Sequence, residues 1–279
     1  MRIIKELWGQ KNPAFKIALI VFLAWIVIAI FGNILAPYDP VEQDLNARYL
    51  APCAEHWFGT DSLGRDVFSR VICGAKISIT AGIVTVVFAA IIGMLYGAVA
   101  AYAGGMVDNV MMRISEMVIA FPPIILAMVI AAALGPSIIN SIIAMTVIWW
   151  PNYARMMRSL VITAKENDYV TASRVIGAGS LRILFKEILP NCIGPMIVMA
   201  TVDLGNAILT FAGLSFLGLG TQPPTPEWGT MVSEGMSSFA NWWIAVFPGL
   251  AIFIVSLAAN FVGDGLRDFM DPKLRKRSV

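Results

Sequence analysis

Histidine occurs once in this chain, cysteine three times, and Asp, Glu, Lys and Arg together make up only 14% of 279 residues. Each scarcity excludes something. A lone His56 with dispersed carboxylates gives no ligand cluster for zinc. Nor can it serve an intramembrane serine protease: Gly213-Leu214-Ser215 superficially offers the serine, but His56 lies in a loop between apolar runs. Cys53, Cys73 and Cys192 have no zinc spacing and make no disulfide framework; Cys53 and Cys73 share one loop and could pair, and free thiols are the expectation. A phosphate-cradling GxxxxGK[ST] segment is missing, so the chain is not expected to hydrolyse ATP by itself.

What the chain has in abundance is apolar surface. Hydrophobic residues make up 58% and the mean hydropathy is +0.76, so lipid rather than water is the solvent for most of it, and an all-α integral membrane protein is expected. A hydrocarbon core of roughly 30 Å takes about 20 apolar residues per helix. Six runs reach or approach that length: Ile17 to Ala36, Ile79 to about Ala103, about Val107 to Leu134, about Ile138 to Trp150, about Met196 to Leu217, and Trp242 to Val262. The first is longer than a signal-peptide core and lacks a small-residue cleavage pattern before Pro37, so it is read as retained. In the third, Asp108, Arg113 and Glu116 place the start at the headgroups, and Pro122-Pro123 predicts a bend. The fourth is short, but extends through Pro151 and Tyr153 into the basic turn Arg155 to Arg158. In the second, Gly93, Gly97 and Ala101 at spacings of four predict a close helix contact.

Orientation follows from Lys and Arg, which resist translocation. With the amino terminus in the cytoplasm, only Arg48, Arg65, Arg70 and Lys76 of the twenty basic residues fall outside. Both termini are then cytoplasmic. The resulting division is 1–16 cytoplasmic segment, 17–36 first span, 37–78 outer loop and lead-in helix, 79–262 five-helix core and 263–279 basic tail. Within the core lie a cytoplasmic loop, 156–191, and an outer loop, 218–241. Trp242 and Trp243 suit an interfacial belt.

The most informative stretch is the cytoplasmic one, Asp168 to Pro190, too polar to cross a bilayer. Asp168 is a plausible N-cap for a helix from Tyr169 to about Ala178, with Gly177 and Gly179 allowing a turn. Ser180 is placed to cap a second helix, in which Leu181, Leu184, Phe185 and Ile188 recur at i, i+3, i+4 and i+7 on one apolar face. Pro190 is expected to stop or bend it. That face must be covered by the membrane surface, by the protein's own helices or by a partner's groove.

These residues resemble the inner-membrane permease subunits of ABC transporters, in the branch that imports dipeptides, oligopeptides or nickel. The family's cytoplasmic loop has Glu-Ala-Ala, three residues, Gly, and later a hydrophobic-Pro ending. Thr171-Ala172-Ser173 stands in the first place, Gly177 in the second and Leu189-Pro190 at the end, so the middle Ala and the Gly match while the acidic position and the second Ala depart. His56-Trp57-Phe58-Gly59-Thr60-Asp61, the run Leu63 to Arg70, Gln222 to Gly229, and Gly263 to Asp268 with Asp271-Pro272 are similar to the family's other stretches.

The resemblance implies a type I ABC importer permease fold and a half-channel in the bacterial cytoplasmic membrane. Its implied partners are a second homologous permease, two ATPase subunits that bind ATP and Mg, and an extracytoplasmic binding protein, with no cofactor in this chain. Asp168, Thr171, Ala172, Ser173, Gly177, Leu181, Phe185, Leu189 and Pro190 would form the ATPase-coupling loop. Asp203, an acid inside the fifth span, must face protein or water, since exposure to lipid costs about 2.5 to 3.5 kcal/mol. With Asn206 it lines either the solute path or the contact to the partner permease. Pro223, Pro224, Glu227 and Trp228 form either an outer docking or gating surface, for which the proline-stiffened loop and the broad Trp228 ring are suited, or a mere connector that packs on the adjacent loop, and both readings stay open. Two function classes stay open: a permease for a peptide, with nickel or a metal chelate as the sibling cargo, and a non-transporting receptor or scaffold.

Overall fold

The computed structural model describes residues 13–270, excluding the Met270 side chain; the basic residues and the Asp271-Pro272 pair nearer the two ends of the sequence lie outside the described residues. Nine helices carry the described fold, with no named strand among those residues. They are α1 (Pro13–Leu35), α2 (Val67–Ala103), α3 (Gly105–Ile119), α4 (Pro123–Leu134), α5 (Ile138–Lys165), α6 (Asp168–Val175), α7 (Ser180–Phe216), α8 (Trp228–Met236) and α9 (Trp243–Met270).

Four of them, α1, α2, α7 and α9, are long and apolar enough to cross a membrane, and α3 with α4 makes a fifth if the bent pair is one span. The expectation of six is therefore corrected by length and composition. The run from Val107 to Leu134 is two limbs that meet at 86°. Pro122 and Pro123 remove two backbone donors at the break, and Pro122 adopts an extended ψ of 122° that no helix continues through. Helix α5 has the length, 28 residues through Pro151, but its polar positions keep it from qualifying by apolarity.

Lipid exposure shows most plainly on α1, where only 17% of the span window is buried and Ile17, Ile20, Leu23, Val27, Ile30 and Ile34 face outward. Helix α2 is the inner mast. Its lead-in and second span are one continuous helix of 37 residues, capped by Asp66, whose carboxylate accepts the Ser69 amide at 2.7 Å. Against α5 its backbone approaches so closely that a Cβ at Gly93 or Gly97 would overlap the Trp150 and Ala154 carbonyl oxygens. This is the small-residue contact that the four-residue spacing predicts.

The chain runs back and forth between two ends. At one, here the capped end, the 37–66 segment and α8 cover the helix termini: Trp243 donates its indole N–H to the Thr60 carbonyl at 3.0 Å and Ser141 donates to the Leu219 carbonyl at 2.9 Å. At the other, the hairpin end, Lys165 donates to the Ala101 and Tyr102 carbonyls at 3.0 and 3.2 Å, closing the last turn of α2. Phe15 of α1 packs against Gly265 of α9 there as well.

Candidate functional site

The hairpin end carries the first feature of interest. Its root is fixed. Arg158 grips Asp108 through two bonds of 2.6 Å, tying α5 to α3 in a bidentate pair that lowers the freedom of both helices. From there α6 leaves α5, turns at Gly177 with φ +79°, and α7 returns. The underside of the hairpin is core: Val170, Ile183, Leu184 and Ile188 are buried together with Val161 and Ala164.

Three expectations about this segment change. The N-cap of α6 is Asn167, not Asp168, which is the first helical residue, and Asn167 makes no side-chain cap bond. Pro190 neither stops nor turns the second helix. Residues Leu184–Ile188 form a π-helical turn, closed by the Leu189 amide on the Leu184 carbonyl, and the proline enters in the first turn of the α-helix that follows, where a missing amide is tolerated. The expected single apolar face is also split. A turn closed from i to i+5 stacks Ile183 over Ile188, so those two and Leu184 point in while Leu181 and Phe185 point out.

The hairpin therefore offers apolar side chains to its surroundings. Val175 and Ile176 are 82% and 83% exposed, Leu181 73% and Phe185 about half. Thr171 and Ala172 are exposed beside them, Ser173 is half-buried, Leu189 is half-buried and Pro190 is exposed. Nothing lies within 4 Å of the place a Cβ would take at Gly177.

Asp203 and Asn206 lie elsewhere, in the bundle. They line an open-sided cavity of about 600 Å³ between α5 and α7, with Trp149, Asn152, Arg155, Met156, Ser159 and Met199. Tyr153 is fully buried on α5, and its hydroxyl has no hydrogen-bond partner among the described residues. The polar members of α5 were missed as a group in the sequence. Their i, i+3, i+7 spacing was the available signal, hidden because Asn152, Arg155 and Ser159 read as the end of a short span.

At the capped end, Pro223 and Pro224 are exposed, but Glu227 and Trp228 are not. Of the two alternatives, a docking or gating surface and a connector, burial fits the second for these two residues, which act as fasteners. Glu227 caps α8, accepting the Gly229 and Thr230 amides at 2.9 and 3.0 Å and the Ser78 hydroxyl at 3.0 Å. Burial pushes its carboxyl above the usual range, against the pull of those three donors. Trp228 donates its indole N–H to the Val71 carbonyl at 2.8 Å and meets Trp25 edge-on. Beside them Arg65 joins Asp61 at 2.6 Å and Glu234 at 3.0 Å, while Arg70 donates to the Pro40 carbonyl at 3.1 Å.

A multi-pass helical bundle with a rooted, protruding hairpin is the type I ABC importer permease fold. The same fold is found in a chain of the MetNI methionine ABC transporter solved in inward-facing conformations, with a TM-score of 0.60 over 72% of this chain and 97% of that one at 18% identity. Residues 89–276 match the model of the binding-protein-dependent transport system inner membrane component, and residues 10–52 that of the N-terminal transmembrane domain of oligopeptide transport permease C. Among full-length relatives, the di/tripeptide transport system permease protein of Pseudomonas aeruginosa is 43% identical over 98% of this chain and 93% of its own. The dipeptide transport system permease protein of Escherichia coli K12 is 45% identical over 98% of this chain and 94% of its own. The chain belongs to the family of binding-protein-dependent ABC transporter permeases.

Proposed function

We propose that this chain is one permease subunit of an ATP-driven importer that carries dipeptides or oligopeptides across the bacterial cytoplasmic membrane. The observation that carries the reading is the hairpin: four large apolar side chains, Val175, Ile176, Leu181 and Phe185, face outward on a segment too polar to enter the bilayer. Such a surface fits a groove in a neighbouring protein. In this reading the neighbour is a cytoplasmic ATPase that binds ATP and Mg, two copies serve the transporter, and a second homologous permease completes the pore. An extracytoplasmic binding protein delivers the solute at the capped end. The distribution of basic residues supports a cytoplasmic hairpin end. The names of the relatives support a peptide as cargo.

Mechanically, the ATPases close on nucleotide and carry the hairpin with them. Because ATP shifts the transporter only through contacts that differ between its two states, the hairpin is a joint and not a catalyst. Asp203 and Asn206 line the path along which the solute moves, in the cavity between α5 and α7.

Copurification from native membranes tests the assembly, with cysteine crosslinking from Val175→Cys to identify what the hairpin touches. Crosslinks to an ATPase are expected. Crosslinks confined to lipid or to the chain's own bundle would overturn the coupling role, and a chain isolated alone and stable would favour a receptor or scaffold. Uptake by the reconstituted complex then separates peptide from nickel or a metal chelate.

A further inference from the structure

The cavity between α5 and α7 contains one acid and one base that do not meet. Two pairs of opposite charges elsewhere do close on each other, Asp61 with Arg65 and Asp108 with Arg158, both at 2.6 Å. Asp203 and Arg155 line the same space, yet no ion pair within 4 Å joins them. Among the described residues, Arg155, Asn152 and Asn206 have no side-chain hydrogen-bond partner either. An unpaired acid within a span is disfavoured by about 2.5 to 3.5 kcal/mol, so Asp203 calls for a partner, and Arg155 stands exposed at the same space without one.

The spacing makes the arrangement systematic. Asn152, Arg155 and Ser159 sit at i, i+3 and i+7 on α5, and Met199, Asp203 and Asn206 at i, i+4 and i+7 on α7, so two stripes face one space. Its volume of about 600 Å³ is that of a small-ligand site. Trp149, Met156 and Met199 add apolar lining that adapts to side chains of different shape.

We infer that this cavity recognises the two charged ends of a short zwitterionic peptide, Asp203 accepting hydrogen bonds from the α-ammonium and Arg155 donating to the terminal carboxylate. Asn152, Asn206 and Ser159 supply donors and acceptors for the peptide amide between. A neutral pair of opposite charges matches a neutral zwitterion, so the peptide loses its water while each end gains a partner. The inference rests on the importer reading and narrows it: the permease itself, and not only the binding protein, reads peptide ends.

The test uses the complete transporter in proteoliposomes, with unaltered binding protein and an isotopically labelled neutral dipeptide, and measures uptake per ATP hydrolysed. Asp203→Asn and Arg155→Gln should each lower that ratio at least about tenfold, the scale of a lost hydrogen bond to a charged group, and Arg155→Lys should restore much of it. Assembly is checked by coisolation; should Asp203→Asn fail to assemble, the Arg155 pair decides alone. A ratio unchanged in Arg155→Gln, in a complex whose unaltered form imports the dipeptide, would overturn the recognition site and leave the importer reading standing. An unaltered complex that imports no dipeptide would overturn both. Equal loss of uptake and ATP hydrolysis would assign these residues to assembly and overturn the inference as well.

Discussion

The two ends of the molecule are built on opposite principles. At the capped end, Trp228, Glu227, Arg65 and Arg70 are buried, and their polar groups reach partners as distant in sequence as Glu234 from Arg65. At the hairpin end, the root is bonded through Arg158 and Lys165 while the tip leaves Val175, Ile176 and Leu181 to the surroundings. One end turns its large polar and aromatic side chains inward; the other leaves large apolar ones uncovered. The difference separates what the chain needs in order to fold from what it needs in order to work.

Substitutions break the comparison in order of size. Trp228→Ala removes a fully buried ring and leaves the Val71 carbonyl without its donor; about 3 to 5 kcal/mol of stability should go, read as an earlier thermal transition of the purified complex. At the other end, the double change Val175→Asp with Ile176→Asp should leave that transition within about 0.5 kcal/mol. It should instead weaken capture of the ATPase by about 2 kcal/mol or more, a loss of roughly thirtyfold measured by coisolation at graded concentration. If the thermal transition moved instead, the tip would be part of the core and the comparison would fail.

Gly177 tests the joint between root and tip. A β-branched residue there meets no neighbouring atom but must hold φ at +79°, at about 1 to 2 kcal/mol. Gly177→Val should therefore lower uptake per ATP hydrolysed, and Gly177→Asn, which tolerates that conformation, should lower it less. The smallest effect is expected from Glu227→Gln, under about 1 kcal/mol, because the amide keeps an acceptor for the helix terminus. Its signature is in pH. A carboxyl whose pKa is raised by folding binds more protons in the folded state, so its contribution favours the fold at low pH and is lost as pH climbs through the raised value. Glutamine should flatten that dependence of the thermal transition.

Much of the bundle was legible because apolar runs and prolines act locally. The bend at Pro122-Pro123 and the close seam at Gly93 and Gly97 need only nearby residues to be seen. The hairpin was legible as an element but not in its facing, since a π-helical turn shifts the register and nothing in LFKEI announces it. The roles of Glu227 and Trp228 were hidden for a different reason. Their partners, Ser78 and Val71, lie about 150 residues away, and a buried fastener has the same composition as a docking surface. The cavity fell between these cases: Asp203 stood out as an acid in an apolar run, whereas Arg155 blended into a basic turn.

Helix α7 runs from Ser180 beside the hairpin tip to Phe216 near the capped end, 37 residues that reach about 55 Å. A rod of that length magnifies rotation. Each degree of tilt at its foot sweeps its head through about 1 Å, and the π-helical turn at Leu184–Ile188 with Pro195 beyond it sits between Leu181 and the wall bearing Asp203, at the places where a helix bends.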